Sequence, residues 1–256
     1  MPARCTIGVD IGTSSSKGVL VDAHGEILAS ATVAHDVQRP RTGWVEMDGR
    51  IWWAEFVQLT RELLAAASAS QLEVEIAAVG VSGMGPCVLL ADDADEPVRP
   101  AILYGVDTRA TAQIDRMTDE LGVAEITRVG GSTLTTQAGG PKIVWIADEE
   151  PAAYAAARRL FMPASWLARH LTGAYVLDHQ SASQVSPLYD VEREEWHAGN
   201  WARFAPGIEA PRLLWAGDIA GTVTDAAAAT TGLPAGIPVI AGTIDAWSEA
   251  VSVGAH

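Results

Sequence analysis

The chain is 256 residues long, 48% hydrophobic and 19% charged, a composition typical of packed globular proteins rather than disordered ones. Its formal net charge of −15 argues against nucleic-acid binding, which relies on Lys and Arg to neutralise phosphates. No uncharged apolar run is long enough for a membrane span. The only cysteines, Cys5 and Cys87, form neither a disulfide framework nor a zinc site. We therefore expect a soluble, cytoplasmic protein that binds neither nucleic acid nor a membrane.

The first predicted element is a β-hairpin whose bend carries the polar groups. An apolar run ends at Asp10, a tight turn covers Gly12 to Ser16, and a second apolar run covers Gly18 to Val21. Glycines let a ligand approach the backbone, and N–H groups with hydroxyls suit phosphate oxygens. A carboxylate fits beside phosphate when Mg²⁺ lies between them. The hairpin is therefore either an ordinary polar turn or a phosphate site formed by Asp10, Gly12, Thr13, Ser14 and Lys17, with Asp10 on the metal.

Two better-known phosphate motifs are absent from this opening stretch. The G-x-x-x-x-G-K-[ST] spacing of the P-loop is missing, and no G-x-G-x-x-G follows the first strand. Lys17 is one of only two lysines in the chain, the other being Lys142, so its place in the turn is unusual for this composition.

The next elements extend the hairpin into an α/β fold. Residues 26–33 predict a third strand, which makes an antiparallel meander. Residues 51–67 predict a helix, because Trp52, Phe56, Leu59 and Leu63 recur at core-facing spacing. Residues 76–82 form a continuous apolar run, typical of a buried parallel strand.

The middle of the chain carries a second polar constellation. Residues 88–90 predict a strand, and residues 92–96 a solvated acidic turn rather than a metal loop. Asp107 and Arg109 follow a strand that begins near Arg99. Residues at the carboxyl ends of strands in α/β sheets often line a cleft, so we expect these two in the cleft. A helix cap with a surface ion pair is the alternative.

The remaining elements alternate between helices, loops and short strands. Residues 111–128 predict one helix, residues 130–142 a glycine-rich loop, and Ile143 onward another helix. Residues 195–205 also predict a helix. The last strand, residues 237–245, ends in Gly-Thr-x-Asp and leads into a helix over 246–253. This end repeats the opening arrangement, so two carboxylates could face one Mg-phosphate centre. One would hold the metal and the other would take a proton from a hydroxyl.

Taken together and in order, these segments resemble the FGGY carbohydrate kinases, which include xylulokinase, ribulokinase and glycerol kinase. The matching segments are Gly8-Val-Asp-Ile-Gly-Thr13, Gly43-Trp-Val-Glu46 before Trp52-Trp53, Gly80-Val-Ser-Gly83, Pro100-Ala-Ile-Leu-Tyr104 with Asp107 and Arg109, Leu171-Thr-Gly173 with Asp178 to Ser183, and Gly242-Thr-x-Asp245. The set spans the whole chain and is specific, although no single segment would be.

The resemblance implies an actin-like ATPase (ribonuclease-H-like) fold, with a mixed sheet, an antiparallel meander and flanking helices. It implies ATP-dependent phosphorylation of a sugar or polyol, of the ketose or pentulose type, with Mg²⁺. Asp10 would serve the Mg-phosphate site with Thr13 beside the phosphates, and Gly242 and Thr243 would complete the nucleotide site. Asp245 would be the general base that activates the sugar hydroxyl.

The substrate segment departs from the family patterns. Where xylulokinases have Ser-Gly-Gln-Met-His-Gly, this chain has Ser82-Gly-Met-Gly-Pro-Cys87, so the histidine that touches the sugar is missing. The Arg and Glu of the glycerol kinase pattern are missing too. We therefore expect a xylulokinase-like kinase of unassigned specificity. Its predicted sugar contacts are Ser82, Gly83, Met84, Tyr104, Asp107 and Arg109.

The resemblance also predicts the domain organisation. Residues 1–241 would form the N-terminal, sugar-binding domain, and residues 242–256 would begin a C-terminal domain that supplies most of the adenosine pocket. We expect the chain alone to bind sugar but to lack strong ATP affinity and turnover. Two options stay open from the sequence: a homodimer, and a non-catalytic actin-like domain that binds a sugar or a partner.

Overall fold

The computed structural model describes residues 2–254; Met1, and the last two residues of the predicted segment 242–256, lie outside the described part. The strands are β1 Ala3–Ile11, β2 Ser15–Asp22, β3 Ile27–Ala34, β4 Glu46–Met47, β5 Val74–Gly83, β6 Leu89–Ala91, β7 Ala101–Ile102, β8 Arg159–Phe161, β9 Val176–Asp178, β10 Tyr189–Asp190, β11 Glu195–Trp196, β12 Arg212–Leu214, β13 Ile219–Thr222, β14 Pro238–Ile240 and β15 Thr243–Ile244. The helices are α1 Gly49–Ala69, α2 Thr111–Leu121, α3 Val123–Gly130, α4 Gly139–Glu149, α5 Pro151–Ala156, α6 Pro163–Thr172, α7 His179–Ser183, α8 Ala198–Phe204, α9 Asp225–Thr231 and α10 Asp245–Ser252.

A mixed seven-stranded sheet organises the molecule, in the order β13-β14-β5-β1-β2-β3, with β15 also paired to β5. The strands β1, β2 and β3 pair antiparallel, which confirms the predicted meander. The strands β14 and β15 both run parallel to β5, on the side away from β1. Thr243 and Ile244 of β15, just beyond the predicted domain boundary at 241, pair with β5. Residues on both sides of that boundary therefore belong to one sheet. The boundary itself stays a prediction.

The main core lies between this sheet and α1. Alternate residues of β1 are buried on one face, including Ile7, Val9 and Ile11, as the period of a strand requires. The apolar stripe of α1 covers that face and packs closely over Gly18, whose missing side chain leaves room for Leu63. The other face of β1 carries Gly8 and Asp10 and is therefore free to line a cavity.

Several predicted boundaries were wrong, each because of glycine. The helix expected over 111–128 is two helices, α2 and α3, because Gly122 has a φ of +80° that an α-helix does not allow. The glycine-rich loop ends earlier than expected, since α4 begins at Gly139. A Cβ on Gly140 would lie 2.5 Å from the Ser186 carbonyl oxygen, so these glycines let the helix pack closely. The strand expected over 237–245 is broken at Gly242 into β14 and β15.

A second hydrophobic cluster is built from residues between Val88 and Ile208, together with Ile244 from β15. It joins the helices of the middle of the chain to the edge of the sheet where β5 and β15 end. Within residues 2–254, no helix is long and apolar enough to cross a membrane.

Candidate active site

The candidate site lies where three parallel strands end side by side. In the register of the sheet, Asp10 of β1 pairs with Ser82 of β5, and Ser82 pairs with Thr243 of β15. Because parallel strands present their carboxyl ends at one edge, the polar segments that follow β1, β5 and β15 meet there. The sheet therefore brings the two ends of the chain's sequence pattern, Asp10 and Asp245, to one place.

A cavity of about 430 Å³ opens between the second face of the sheet and α10. Its floor includes Gly8 and Gly80, whose missing side chains leave the space open. Asp10 and Asp245 both line it, as the two-carboxylate hypothesis requires. The other polar side chains that line it are Lys17, Ser82, Ser248, Glu249 and Ser252.

Asp10 is fixed by one neighbour and leaves one oxygen open. The Ser82 hydroxyl donates to Asp10 Oδ1 at 2.8 Å, while Oδ2 has no hydrogen-bond donor among the described residues. Burial raises the pKa of Asp10, and Glu249 raises it further, whereas the Ser82 hydrogen bond and the Lys17 charge lower it. The carboxylate is therefore oriented but not fully paired.

Asp245 is the first residue of α10, and its side chain is oriented by a hydrogen bond from the backbone of the next residue. The N–H of Ala246 donates to Asp245 Oδ1 at 2.8 Å. Burial raises the pKa of Asp245, opposed by the Ala246 N–H, and the negative charges of Asp10 and Glu249 raise it further. A carboxyl group whose pKa is raised is a stronger base than an ordinary aspartate, which suits proton abstraction from a hydroxyl.

The turn of the hairpin presents free donors. Gly12 N–H donates to the Ser15 carbonyl at 3.1 Å and closes the turn, and a Cβ on Gly12 would lie 2.8 Å from that oxygen. Within residues 2–254 the N–H groups of Thr13 and Ser14 have no acceptor. The Thr13 hydroxyl lies 2.9 Å from the Tyr104 hydroxyl. The turn thus has the donors that a phosphate group needs.

The segment that precedes Asp245 has a packing role in the structure. Gly242 has a φ of +71°, and a Cβ there would overlap the Val81 carbonyl oxygen of β5, so this position admits only glycine. The Thr243 hydroxyl donates to Asp178 Oδ2 at 2.7 Å. Asp178 is buried, burial raises its pKa, and it also caps α7 through Ser181 N–H. Nucleotide contact by Gly242 and Thr243 stays a prediction.

The six predicted sugar contacts lie in four different settings. Ser82 lines the cavity, and Tyr104 contacts the hairpin turn through Thr13. Gly83 and Met84 are buried at the end of β5, where the Met84 N–H donates to the Ile11 carbonyl. Asp107 and Arg109 do not line the cavity; both are buried. That any of these six touches the sugar stays a prediction.

Asp107 and Arg109 belong to a buried ion network. Arg109 donates to Asp107 at 2.7 Å and to Glu46 at 2.6 Å, and its guanidinium stacks over Trp44 at 4.2 Å. Asp107 also accepts from Val45 N–H at 2.6 Å. A buried charge pair of this kind fixes geometry. The network therefore holds the loop after Tyr104 against the segment before α1.

Lys142 is a second buried cation near this loop. It lies in α4, where the sequence predicted a loop, and donates to the Leu103 carbonyl at 2.6 Å. Burial lowers the pKa of Lys142 to about 8 and raises the pKa of its neighbour Cys87 to about 12. Lys142 holds the backbone next to Tyr104 and does not reach the cavity.

The described residues fit a magnesium ion whose ligands would come mainly from the phosphate groups of a bound nucleotide. They contain no group of three or more His, Cys, Asp or Glu side chains arranged for a metal. Asp10 offers an open carboxylate oxygen in the cavity. Gly12 lies nearby, since a Cβ there would be 3.8 Å from Asp10 Oδ2, but Gly12, Thr13 and Ser14 are not among the residues that line the cavity. Mg²⁺ is commonly bound by one or two carboxylates together with substrate phosphate oxygens, so a single carboxylate here is consistent with the expected ion.

The family model for the "FGGY family of carbohydrate kinases, N-terminal domain" matches residues 5–252. The chain belongs to the FGGY family of carbohydrate kinases. It is 28% identical over 254 residues to the xylulose kinase of Lactococcus lactis, which covers 97% of this chain and 49% of that protein. It is 33% identical over 261 residues to the xylulose kinase of Streptomyces coelicolor, which covers 97% of this chain and 50% of that protein.

Solved structures confirm the fold of this FGGY chain. The crystal structure of xylulose kinase from Rhodospirillum rubrum superposes with a TM-score of 0.92 at 30% identity, over 98% of this chain and 51% of that one. The predicted α/β, actin-like ATPase fold is therefore confirmed. The chain spans about half the length of the curated relatives it matches.

Proposed function

We propose that the protein catalyses ATP-dependent phosphorylation of a hydroxyl group on a sugar or polyol of the ketose or pentulose type. The relatives are named as xylulose kinases, and family membership supports a carbohydrate as phosphoryl acceptor. The observation that carries the proposal is that Asp10 and Asp245, from opposite ends of the sequence, line one cavity at the ends of β1 and β15, which pair with β5 from its two sides.

In this proposal Asp245 is the general base. Its carboxylate takes the proton from the sugar hydroxyl while the hydroxyl oxygen attacks the γ-phosphorus of ATP, and ADP leaves with the electrons of the broken P–O bond. The pKa of Asp245 is raised by burial, which strengthens it as a base. Its backbone hydrogen bond at 2.8 Å holds it in position.

Asp10 and the turn are proposed to hold the phosphates. Asp10 would bind Mg²⁺, which neutralises phosphate charge when bound. The free N–H groups and the hydroxyls of Thr13 and Ser14, together with the Lys17 ammonium, would contact phosphate oxygens. Lys17 lines the same cavity as Asp10, which supports a shared ligand.

The extent of activity in this chain is a further part of the proposal. We propose that the chain binds the sugar but needs a second domain, which completes the adenosine pocket, for strong ATP binding and turnover. The chain spans about half the length of its relatives, which supports the need for a second domain. A homodimer and a cytoplasmic location are also proposed and carry no part of the mechanism.

A coupled ADP-release assay with Mg-ATP and a panel of ketoses, aldoses and polyols tests the proposed function. It is run on the natural gene product that carries residues 1–256. Release that depends on one sugar supports the kinase and names its substrate. Sugar binding by calorimetry without ADP release is the expected result for residues 1–256 alone. The same result for a protein that carries both domains would contradict the kinase and favour the non-catalytic binding domain.

A further inference from the structure

A buried polar cluster lies behind the phosphate turn and takes no part in the proposed chemistry. It consists of His35, which follows β3, Glu55 of α1 and Ser16 of β2. The side chains of His35 and Glu55 are 6% and 9% exposed, and Ser16 is fully buried. His35 Nδ1 lies 3.0 Å from Glu55 Oε2, and the Ser16 hydroxyl donates to the same oxygen at 2.5 Å.

The other nitrogen of His35 contacts the turn itself. His35 Nε2 lies 3.1 Å from the Gly12 carbonyl oxygen. A carbonyl only accepts hydrogen bonds, so Nε2 carries a proton and donates. Without a proton between them, Nδ1 and the Glu55 carboxylate oxygen would be two acceptors 3.0 Å apart, so we infer a second proton at this contact. With both protons in place the His35–Glu55 pair is neutral overall, whichever partner holds the second one, and this suits its burial.

His35 holds the turn at two points on one side. Besides the Nε2 contact with Gly12, the His35 backbone N–H donates to the Ser14 carbonyl at 3.1 Å. In a trans peptide the C=O and the N–H point in opposite directions. The Gly12 carbonyl points at His35, so the N–H of Thr13, in the same peptide, points away from it. Within the described residues that N–H has no acceptor.

We propose that His35, itself held by Glu55, is a positioning residue that fixes the Gly12–Thr13 peptide so that the Thr13 N–H faces a phosphate group of the substrate. The inference rests on the proposed phosphate role of the turn. His35 acts from behind the turn and does not touch the phosphate. Without its side chain the Gly12–Thr13 peptide is free to rotate, and the donor is no longer held in place before the ligand arrives.

Four variants separate this role from general packing. His35→Phe keeps a ring of similar size and the backbone contact to Ser14 but removes the contact to Gly12. Glu55→Leu removes the support of the imidazole. Glu55→Gln restores it, because the amide N–H₂ can donate to Nδ1 while Nε2 keeps its proton for Gly12 and the amide oxygen accepts from Ser16. His24→Phe, in the exposed turn between β2 and β3, is the matched control.

The experiment measures Kd by calorimetry for two probes, Mg-ATP and Mg-tripolyphosphate, and for the sugar that the panel identifies. It uses the natural gene product. We expect His35→Phe and Glu55→Leu to weaken binding of both phosphate probes by roughly tenfold, the size of a hydrogen-bond effect. We expect Glu55→Gln and His24→Phe to bind like the wild type, and sugar affinity to be unchanged in all four.

Amide hydrogen exchange of the Gly12 and His35 N–H groups, measured without ligand, reports the turn independently. Faster exchange in His35→Phe and Glu55→Leu alone supports the inference. Wild-type phosphate affinity in His35→Phe would overturn it and leave the proposed function standing. A wild-type protein that carries both domains and binds neither phosphate probe would instead refute the phosphate role of the turn, and the inference with it.

Discussion

The Thr13 hydroxyl lies 2.9 Å from the Tyr104 hydroxyl, so the turn between β1 and β2 is hydrogen-bonded to the loop that carries predicted sugar contacts. The backbone on both sides of Tyr104 is also fixed. The Leu103 carbonyl accepts a hydrogen bond from Lys142, and the Asp107–Arg109 ion pair fixes the residues that follow. This hydrogen bond thus joins the turn between β1 and β2 to the loop after β7, and both segments are held by further backbone contacts.

A double-mutant cycle tests that contact. Tyr104→Phe and Thr13→Val each remove the hydrogen bond, so each is expected to lower the free energy of unfolding by about 1 kcal/mol. The double variant should lose little more than either single one, because the same bond is removed twice. Urea unfolding of the chain measures all four free energies. Strictly additive losses would show that the two hydroxyls do not interact.

Asp10→Ala is expected to change how the reaction depends on Mg²⁺. If Asp10 holds the metal, the variant needs a much higher Mg²⁺ concentration for half-maximal turnover, while the sugar Kd stays near the wild-type value. Ser82→Ala removes only the hydroxyl that orients Asp10 and should have a smaller effect on the same curve. A Mg²⁺ dependence that survives Asp10→Ala unchanged would contradict the metal role.

Glu249 should influence the pH profile of the reaction. Asp245 must be deprotonated to act as base, so turnover rises as pH passes upward through its pKa. Burial and the charges of Asp10 and Glu249 raise that pKa, so Glu249→Gln is expected to move the acid limb of the kcat profile to lower pH. Glu75→Gln, an exposed glutamate at the far end of β5, should leave it in place. An acid limb at the same pH in all three proteins would show that the Glu249 charge does not raise the pKa that controls it.

The sequence predicted the sheet edge better than it predicted the surroundings of the site. The ends of β1 and β5, with Asp10 and Ser82, followed from apolar runs that stop at polar residues. The cluster behind the turn was missed, although one signal was present. Glu55 lies three residues after Trp52 and next to Phe56, and so falls in the apolar stripe of α1, where a charged residue needs a buried partner. The sequence does not reveal that the partner is His35, because the contact depends on how α1 lies over β2 and β3.

Lys142 should make stability depend on pH in a defined direction. Its pKa in the folded protein is about 8, below the ordinary 10.5, so between these values the unfolded chain binds more protons and stability rises with pH. Cys87, with a folded pKa of about 12 against an ordinary 9.0, has the opposite effect above pH 9. The effect of Lys142 on stability is therefore best measured between pH 8 and pH 9, below the range in which Cys87 opposes it.

From pH 8 to pH 9 the free energy of unfolding of the wild type is expected to rise by up to ~1 kcal/mol more than that of Lys142→Met. Urea unfolding at the two pH values measures the difference. Lys17→Met, at the only other lysine, is exposed and should keep the wild-type dependence. An equal change in wild type and Lys142→Met would mean that Lys142 is not the titrating group.

The same lysine shows why part of the site was not predictable. Residues 139–142 contain two glycines and a proline, which predict a loop by local preference. The structure places them in α4, because Gly139 and Gly140 allow the helix to pack against residues 184–187. Asp107 and Arg109 were assigned to the cleft by their position after a strand. Their burial in a network with Glu46 depends on the segment before α1, far away in the sequence.

The most direct test of the central claim is the effect of Asp245→Asn on kcat and on sugar affinity, measured in the natural gene product with Mg-ATP. The general-base role predicts a fall in kcat of several orders of magnitude, since general-base catalysis contributes roughly 10²–10⁴-fold, with the sugar Kd nearly unchanged. A weaker sugar Kd with kcat retained would contradict the account and make Asp245 only a ligand contact.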